Sequence, residues 1–154
     1  MRFVIQVVSK GTLSIEGRQH AAIGRGFVVL IGVSEQDIAS GRAKEIADKM
    51  TKKMLGLRIF PDENGKTNLS LADTKGALLL VSQFTLYADC RKGNRPSFIR
   101  AGAPEASEEI YDYIVNRCRE EISDVQTGVF GARMQVEIVN EGPFTVLLDS
   151  EELM

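Results

Sequence analysis

Phe27-Val28-Val29-Leu30-Ile31-Gly32-Val33 is the stretch on which the fold turns. It offers no polar residue to a solvent face, so it reads as a strand covered on both sides. Gly24-Arg25-Gly26 punctuates the chain before it. Immediately after it, Ser34-Glu35-Gln36-Asp37 resembles a capping box, in which two side chains satisfy orphan backbone N–H groups at a helix start. Ile38, Ile46, Met50 and Met54 then recur at multiples of four, with Ala43 and Ala47 beside them. That spacing predicts one amphipathic helix running to about Leu55.

Working outward, Arg2 to Val8 is β-rich, and Leu13 and Ile15 alternate with polar residues ahead of a hairpin turn at Glu16-Gly17-Arg18-Gln19. Leu57-Arg58-Ile59-Phe60 reads as a short strand, closed by the turn Asp62-Glu63-Asn64-Gly65. Residues 77–82 form a second doubly buried strand, expected to continue after Gln83 through Phe84-Thr85-Leu86-Tyr87. Pro104 suits the first turn of a helix whose stripe is Ala106, Ile110, Ile114, Cys118 and Ile122. Gly128 and Gly131 flank Phe130 in a bend, Met134-Gln135-Val136-Glu137-Ile138 alternates as a strand, and residues 144–148 make the last one. Residues 150–154 read as a frayed tail. The expectation is a single α/β domain over residues 1–154, with about seven strands in a curved, barrel-like mixed sheet and two main helices.

A length of 154 residues fits one domain, and 44% hydrophobic with 26% charged residues is the make-up of an ordinary globular protein. No apolar run reaches the roughly 18 residues of a membrane span, and no signal-peptide layout opens the chain. A cytoplasmic protein is expected. The net charge of −2 argues against a protein that grips long nucleic acid by its phosphates, so any RNA must be held by a local patch. Cys90 and Cys118 fit no metal spacing and read as inert thiols. Gly65-Lys66-Thr67 is no phosphate loop, because Phe60 stands where the first glycine belongs. The single histidine, His20, lies near the hairpin turn, which leaves no Ser–His–Asp or Cys–His arrangement. No residue set calls for a metal or cofactor. A hydrolase built on this chain must use backbone donors, a lone hydroxyl, or groups of its substrate.

Three segments stand out. Ser82-Gln83-Phe84-Thr85-Leu86 places polar residues directly after a buried run; Ser and Gln there either satisfy a strand end or enter a site. Arg91-Lys92-Gly93-Asn94-Arg95-Pro96 puts three cations on a Gly/Pro loop, a solvated surface or a phosphate cradle formed by Arg91, Lys92 and Arg95. Asn140-Glu141-Gly142-Pro143-Phe144-Thr145 sets a proline between two strand-like runs, as a tight turn or as a built backbone feature.

Together and in this order the segments resemble the D-aminoacyl-tRNA deacylase family. Residues 82–86 match its Ser-Gln-x-x-Leu motif and residues 140–145 its Asn-x-Gly-Pro-x-Thr motif. Lys92-Gly93-Asn94-Arg95-Pro96-Ser97-Phe98 and Thr127-Gly128-Val129-Phe130-Gly131-Ala132 add support, and the match runs from Met1 to about Ser150. The resemblance implies hydrolysis of the ester between a D-amino acid and the tRNA 3′ end. It also implies a homodimer with active sites at the subunit interface and a cis Gly-Pro peptide reaching into the partner's site. Gly142 and Pro143 would then offer main-chain carbonyls to the substrate's ammonium group. Thr85 would lie near the ester, and Ser82, Gln83 and Phe130 would help build the pocket, with Thr145 in the binding motif.

A glycine backbone can approach a ligand closely. A rigid peptide wall would exclude an L side chain and let a D side chain point outward, which is selectivity by clash. Achiral glycine would escape the filter, so glycyl-tRNA is expected to be cleaved to some extent. For the ester step, backbone N–H groups near Phe84, Thr85 and Phe130 are the expected oxyanion donors, with water or the ribose 2′-hydroxyl assisting. Three departures accompany the resemblance: Val7 where the family commonly carries Arg, Phe144 for Val, and Glu141 for Asp. Two other readings stay open, a nucleic-acid binding module and an inactive structural dimer.

Overall fold

In the computed structural model, which describes residues 1–154, the apolar run becomes strand β3 (Gly26–Gly32). It sits mid-sheet, antiparallel to β1 (Arg2–Ile15) and parallel to β6 (Ala77–Ser82). β6 is parallel in turn to β7 (Val125–Thr127). β2 (Arg18–Ile23) and β8 (Gln135–Asp149) both pair antiparallel with β1. β8 pairs along nearly all of β1, while β1's other edge is shared, Arg2 to Val8 with β3 and Gly11 to Ile15 with β2. One long strand serving two neighbours in succession is what curls the sheet towards a barrel. A separate hairpin joins β4 (Phe60–Pro61) to β5 (Thr67–Leu69).

Alternation divides the core. Phe27, Val29, Ile31, Leu78 and Leu80 face the helices, packing with Met50 and Met54 of α2 (Ala43–Gly56) and Ile110, Ile114 and Cys118 of α3 (Pro104–Arg119). Val28, Leu79 and Val81 face the inside of the curl with Val8, Leu13 and Ile23. Both faces of β3 and β6 are thus covered, as the unbroken apolar runs required. Truncating one of these side chains, as in Ile114→Ala, costs about 2–5 kcal/mol.

Several expectations are corrected. The helix expected from Ser34 to Leu55 is two: α1 (Glu35–Ala39), held by a complete Ser34–Asp37 capping box, and α2. Gly41, at φ +69°, breaks the chain between them, a conformation glycine adopts without steric penalty. Of the strand expected at residues 57–60, only Phe60 joins a ladder. β1 is continuous where two strands were expected, and β8 runs through Pro143 where two were expected. The tail is not frayed: α4 (Ser150–Leu153) is capped by Asp149, and buried Ser150 accepts a 2.5 Å hydrogen bond from the Met1 ammonium. No helix is long and apolar enough to cross a membrane.

Candidate functional site

The strand expected to continue past Gln83 stops at Ser82, because its partner β3 stops at Gly32. The Gln83 N–H makes one more ladder bond, to the Ile31 carbonyl at 2.7 Å. The chain then winds into a 3-10 turn, Phe84–Tyr87, tight against β3. A Cβ on Gly32 would lie 3.0 Å from Leu86 Cβ, so the missing side chain is what admits the turn. A 3-10 helix leaves its first N–H groups without internal acceptors. No backbone carbonyl outside the regular elements accepts from the N–H of Phe84, Thr85 or Phe130.

Ser82, Gln83, Phe84 and Phe130 line one cavity of about 830 Å³, together with Phe98 and Ala132. This volume lies within the range of small-ligand sites. Phe84 is 53% exposed and meets Phe98 edge-on at 5.1 Å. Phe130 rests on Tyr111, whose hydroxyl donates to the Leu80 carbonyl at 2.7 Å. Thr85 is exposed and is not among the lining residues; its hydroxyl accepts from the Gln83 amide at 2.5 Å. One carboxylate, Glu35, stands at the cavity, and sequence reasoning missed it. No group of three or more His, Cys, Asp or Glu side chains converges anywhere. Cys118 is no nucleophile, since burial pushes its thiol up to about 12.

The second motif lies elsewhere. Gln6 pairs with Thr145 and Val8 with Asn140, so residues 141–144 bow out opposite Val7 alone. Asn140 closes the base of this excursion. Its amide donates to Gln6 Oε1 at 2.7 Å and Thr145 Oγ1 at 3.0 Å, and its carbonyl accepts from the Phe144 N–H at 2.8 Å. Gly142 has φ +127°, and the Gly142–Pro143 peptide is cis. Both residues are exposed. Gly142 lines a different cavity, of about 560 Å³, with Val7, Arg25, Phe60, Glu141 and Phe144. Gly142, Pro143 and Thr145 are therefore not brought to the Ser82–Phe130 cavity within one chain. All three departures, Val7, Glu141 and Phe144, line the 560 Å³ cavity. The small Val7 faces the larger Phe144 there, and the bracing of the segment falls to Asn140 and Gln6. Asn140 stands out in the sequence only as the first residue of its motif and Gln6 not at all, although the pairing of an amide in β1 with a motif amide is the signal that could have found the brace.

In the basic loop, Arg91 is already engaged: it grips Asp89 at 2.8 and 2.6 Å, and that contact holds the Asp89 carboxyl down to about 2. Lys92 and Arg95 remain exposed.

The family model described as D-Tyr-tRNA(Tyr) deacylase matches residues 4–149. A protein of Clostridium acetobutylicum named D-aminoacyl-tRNA deacylase is 49% identical over 153 residues, 99% of each chain. One of Koribacter versatilis with the same name is 51% identical over 152 residues, again 99% of each. Among solved structures, one titled c-Myc DNA Unwinding Element Binding Protein superposes with a TM-score of 0.89 at 38% identity, covering 97% of this chain and 98% of its own. Another, titled as a probable eukaryotic D-amino acid tRNA deacylase, gives 0.84 at 20% identity, covering 96% and 97%, and attests the fold alone.

Proposed function

The chain belongs to the D-Tyr-tRNA(Tyr) deacylase family, and from that premise we propose that it hydrolyses the ester joining a D-amino acid to the 3′ end of tRNA while sparing L esters. The observation that carries the chemical step is the group of N–H donors at Phe84, Thr85 and Phe130 to which no turn or loop carbonyl is bonded, beside a cavity lined by Ser82, Gln83, Phe84 and Phe130. Such donors stabilise the oxyanion that forms when the ester carbon is attacked. The attacking oxygen is that of water, helped by the neighbouring ribose 2′-hydroxyl. The acyl C–O bond breaks, the tRNA hydroxyl leaves with a proton, and the free D-amino acid remains. Thr85 is a poor nucleophile, because its hydroxyl partner is an amide donor rather than a base.

The chirality filter is the main chain of Gly142 and Pro143, whose carbonyls hold the substrate ammonium so that an L side chain would clash. Because these residues and the Ser82–Phe130 cavity lie apart in one chain, the complete site takes a second copy, the wall of each protomer entering the cavity of its partner. The unpaired outer edge of β8 and the exposed apolar residues Phe84, Ile99, Val139 and Leu147 supply surface for such a contact. Lys92 and Arg95 are the cations free to meet tRNA phosphates, with Arg91 available only by giving up Asp89. Glycyl-tRNA, which has no side chain to clash, is cleaved as well.

Incubation with D-tyrosyl-, L-tyrosyl- and glycyl-tRNA tests the reading. Release of D-tyrosine and glycine with the L ester intact is expected. An intact D ester would favour a binding module or an inactive dimer, and equal loss of both tyrosyl esters would remove the chiral wall.

A further inference from the structure

The 3-10 turn Phe84–Tyr87 is too short to fix its own direction, its ends closed only by the Leu86 N–H on the Gln83 carbonyl at 3.3 Å and the Ala88 N–H on the Thr85 carbonyl at 3.0 Å. Its aim must come from outside. At its entry, the Gln83 N–H is tied to Ile31, and Leu86 leans on Gly32. At its exit, the tie is Arg2. In the sheet register Arg2 lies between Gly32 of β3 and Asp149 of β8. Its guanidinium reaches across the end of β3 to the turn. Nη1 donates to the Leu86 carbonyl at 2.8 Å, Nε donates to Asp149 Oδ2 at 2.7 Å, and the planar group lies 4.7 Å from the centroid of the Tyr87 ring. Tyr87 is 1% exposed, so this contact is made against a fixed surface.

We propose that Arg2 is a positioning residue for the deacylation step, holding the last two residues of the turn so that the Phe84 N–H at its start is presented to the cavity, with that of Thr85 beside it. The proposal rests on the deacylase reading above. Arg2 touches no substrate atom; it acts through the Leu86 carbonyl and the Tyr87 ring. Asp149 aims the guanidinium, with side-chain exposures of 25% and 11% for the two partners. The arrangement needs arginine specifically. A guanidinium presents a planar fork of donors that can serve two acceptors in different directions while stacking on a ring. A lysine ammonium at the same place keeps the charge opposite Asp149 but cannot hold the Leu86 carbonyl and cover Tyr87 in the same geometry.

Arg2→Lys is therefore the informative variant, with Arg2→Ala beside it. Two readouts are needed: single-turnover release of D-tyrosine from D-tyrosyl-tRNA, and hydrogen exchange of the Ala88 amide, which donates to the Thr85 carbonyl at 3.0 Å and reports whether the turn is closed. Arg2→Lys is expected to stay folded, to bind D-tyrosyl-tRNA about as well as wild type, and to lose roughly ten- to a hundredfold in single-turnover rate, the scale of a small misplacement of reacting groups. Its Ala88 amide exchanges faster. A single-turnover rate within about twofold of wild type would overturn the proposal. So would a loss carried entirely by weaker tRNA binding. If wild type itself spares D-tyrosyl-tRNA, the deacylase reading fails. The anchor is then judged by exchange alone, and an unchanged Ala88 amide in Arg2→Lys overturns it.

Discussion

The turn at residues 84–87 and the excursion at residues 141–144 are the two places where the sheet ladder lets go beside a motif, and they are held in opposite ways. The turn is tied by β1 and β3, with Tyr87 buried beneath it. The excursion leans on Asn140, itself held by Gln6, and its Gly142 and Pro143 stand exposed. The first is completed by its own chain. The second is offered outward, shaped locally and kept apart from the Ser82–Phe130 cavity of its own protomer. On the proposed reading, a site that needs both would draw its rigid chemistry from one copy and its selective wall from another.

The largest effect should follow Gly142→Ala. At φ +127° an L residue is strained, and the added Cβ would sit 3.0 Å from the Phe144 nitrogen. D-tyrosyl-tRNA hydrolysis should fall by about a hundredfold or more, while the backbone strain costs about 1–3 kcal/mol of stability and leaves the protein folded. A wild-type rate would show that the wall does not act through its main chain. Next comes Asn140→Ala, which removes three hydrogen bonds at once. Loss of about tenfold in rate with only about 1 kcal/mol of stability is expected, most of the stability loss being offset by solvent at this partly exposed position. A rate within about twofold of wild type at that same loss of stability would make Asn140 a structural residue only.

On the other side of the comparison, Thr85→Val should keep the rate within about threefold, because backbone donors carry the step. A thousandfold loss would instead make the hydroxyl the nucleophile. The smallest effect concerns acid. Burial pushes the Asp149 carboxyl up, but its hydrogen bond from Arg2, the Glu151 N–H and the charge of Arg2 outweigh that and leave it below the usual value. A carboxylate depressed by folding contributes stability that is present above its unfolded pKa, about 3.9, and is lost as pH falls through the folded value. The difference in melting temperature between wild type and Asp149→Asn should therefore be present at neutral pH and shrink below about pH 4. A gap that is unchanged across that range would exclude the linkage.

The sequence made one of the two regions more legible than the other. Unbroken apolar runs revealed β3 and β6, and the Ser34–Asp37 pattern revealed a helix start, because these signals are local. Residues 84–87 were misread as strand, since nothing in Phe84-Thr85-Leu86-Tyr87 records that β3 ends at Gly32. The two motifs were legible as a family resemblance, yet their separation into different cavities was not. It depends on β1 pairing β8 in a register that bows out opposite Val7. That Val7, Glu141 and Phe144, the three departures, share one cavity wall was equally hidden, being a contact between residues more than a hundred positions apart for Val7.

The claim that one copy's wall completes another copy's cavity is tested most directly by complementation. Gly142→Ala disables the wall, and Ala132→Trp fills the cavity that Ala132 lines. Each variant alone should be nearly inert on D-tyrosyl-tRNA. Refolded together in equal amounts, random pairing makes about half the dimers mixed, each with one working site of two, so about a quarter of wild-type activity should return. Activity no greater than the sum of the separate variants would contradict the account and place the wall and the cavity of a working site in the same chain.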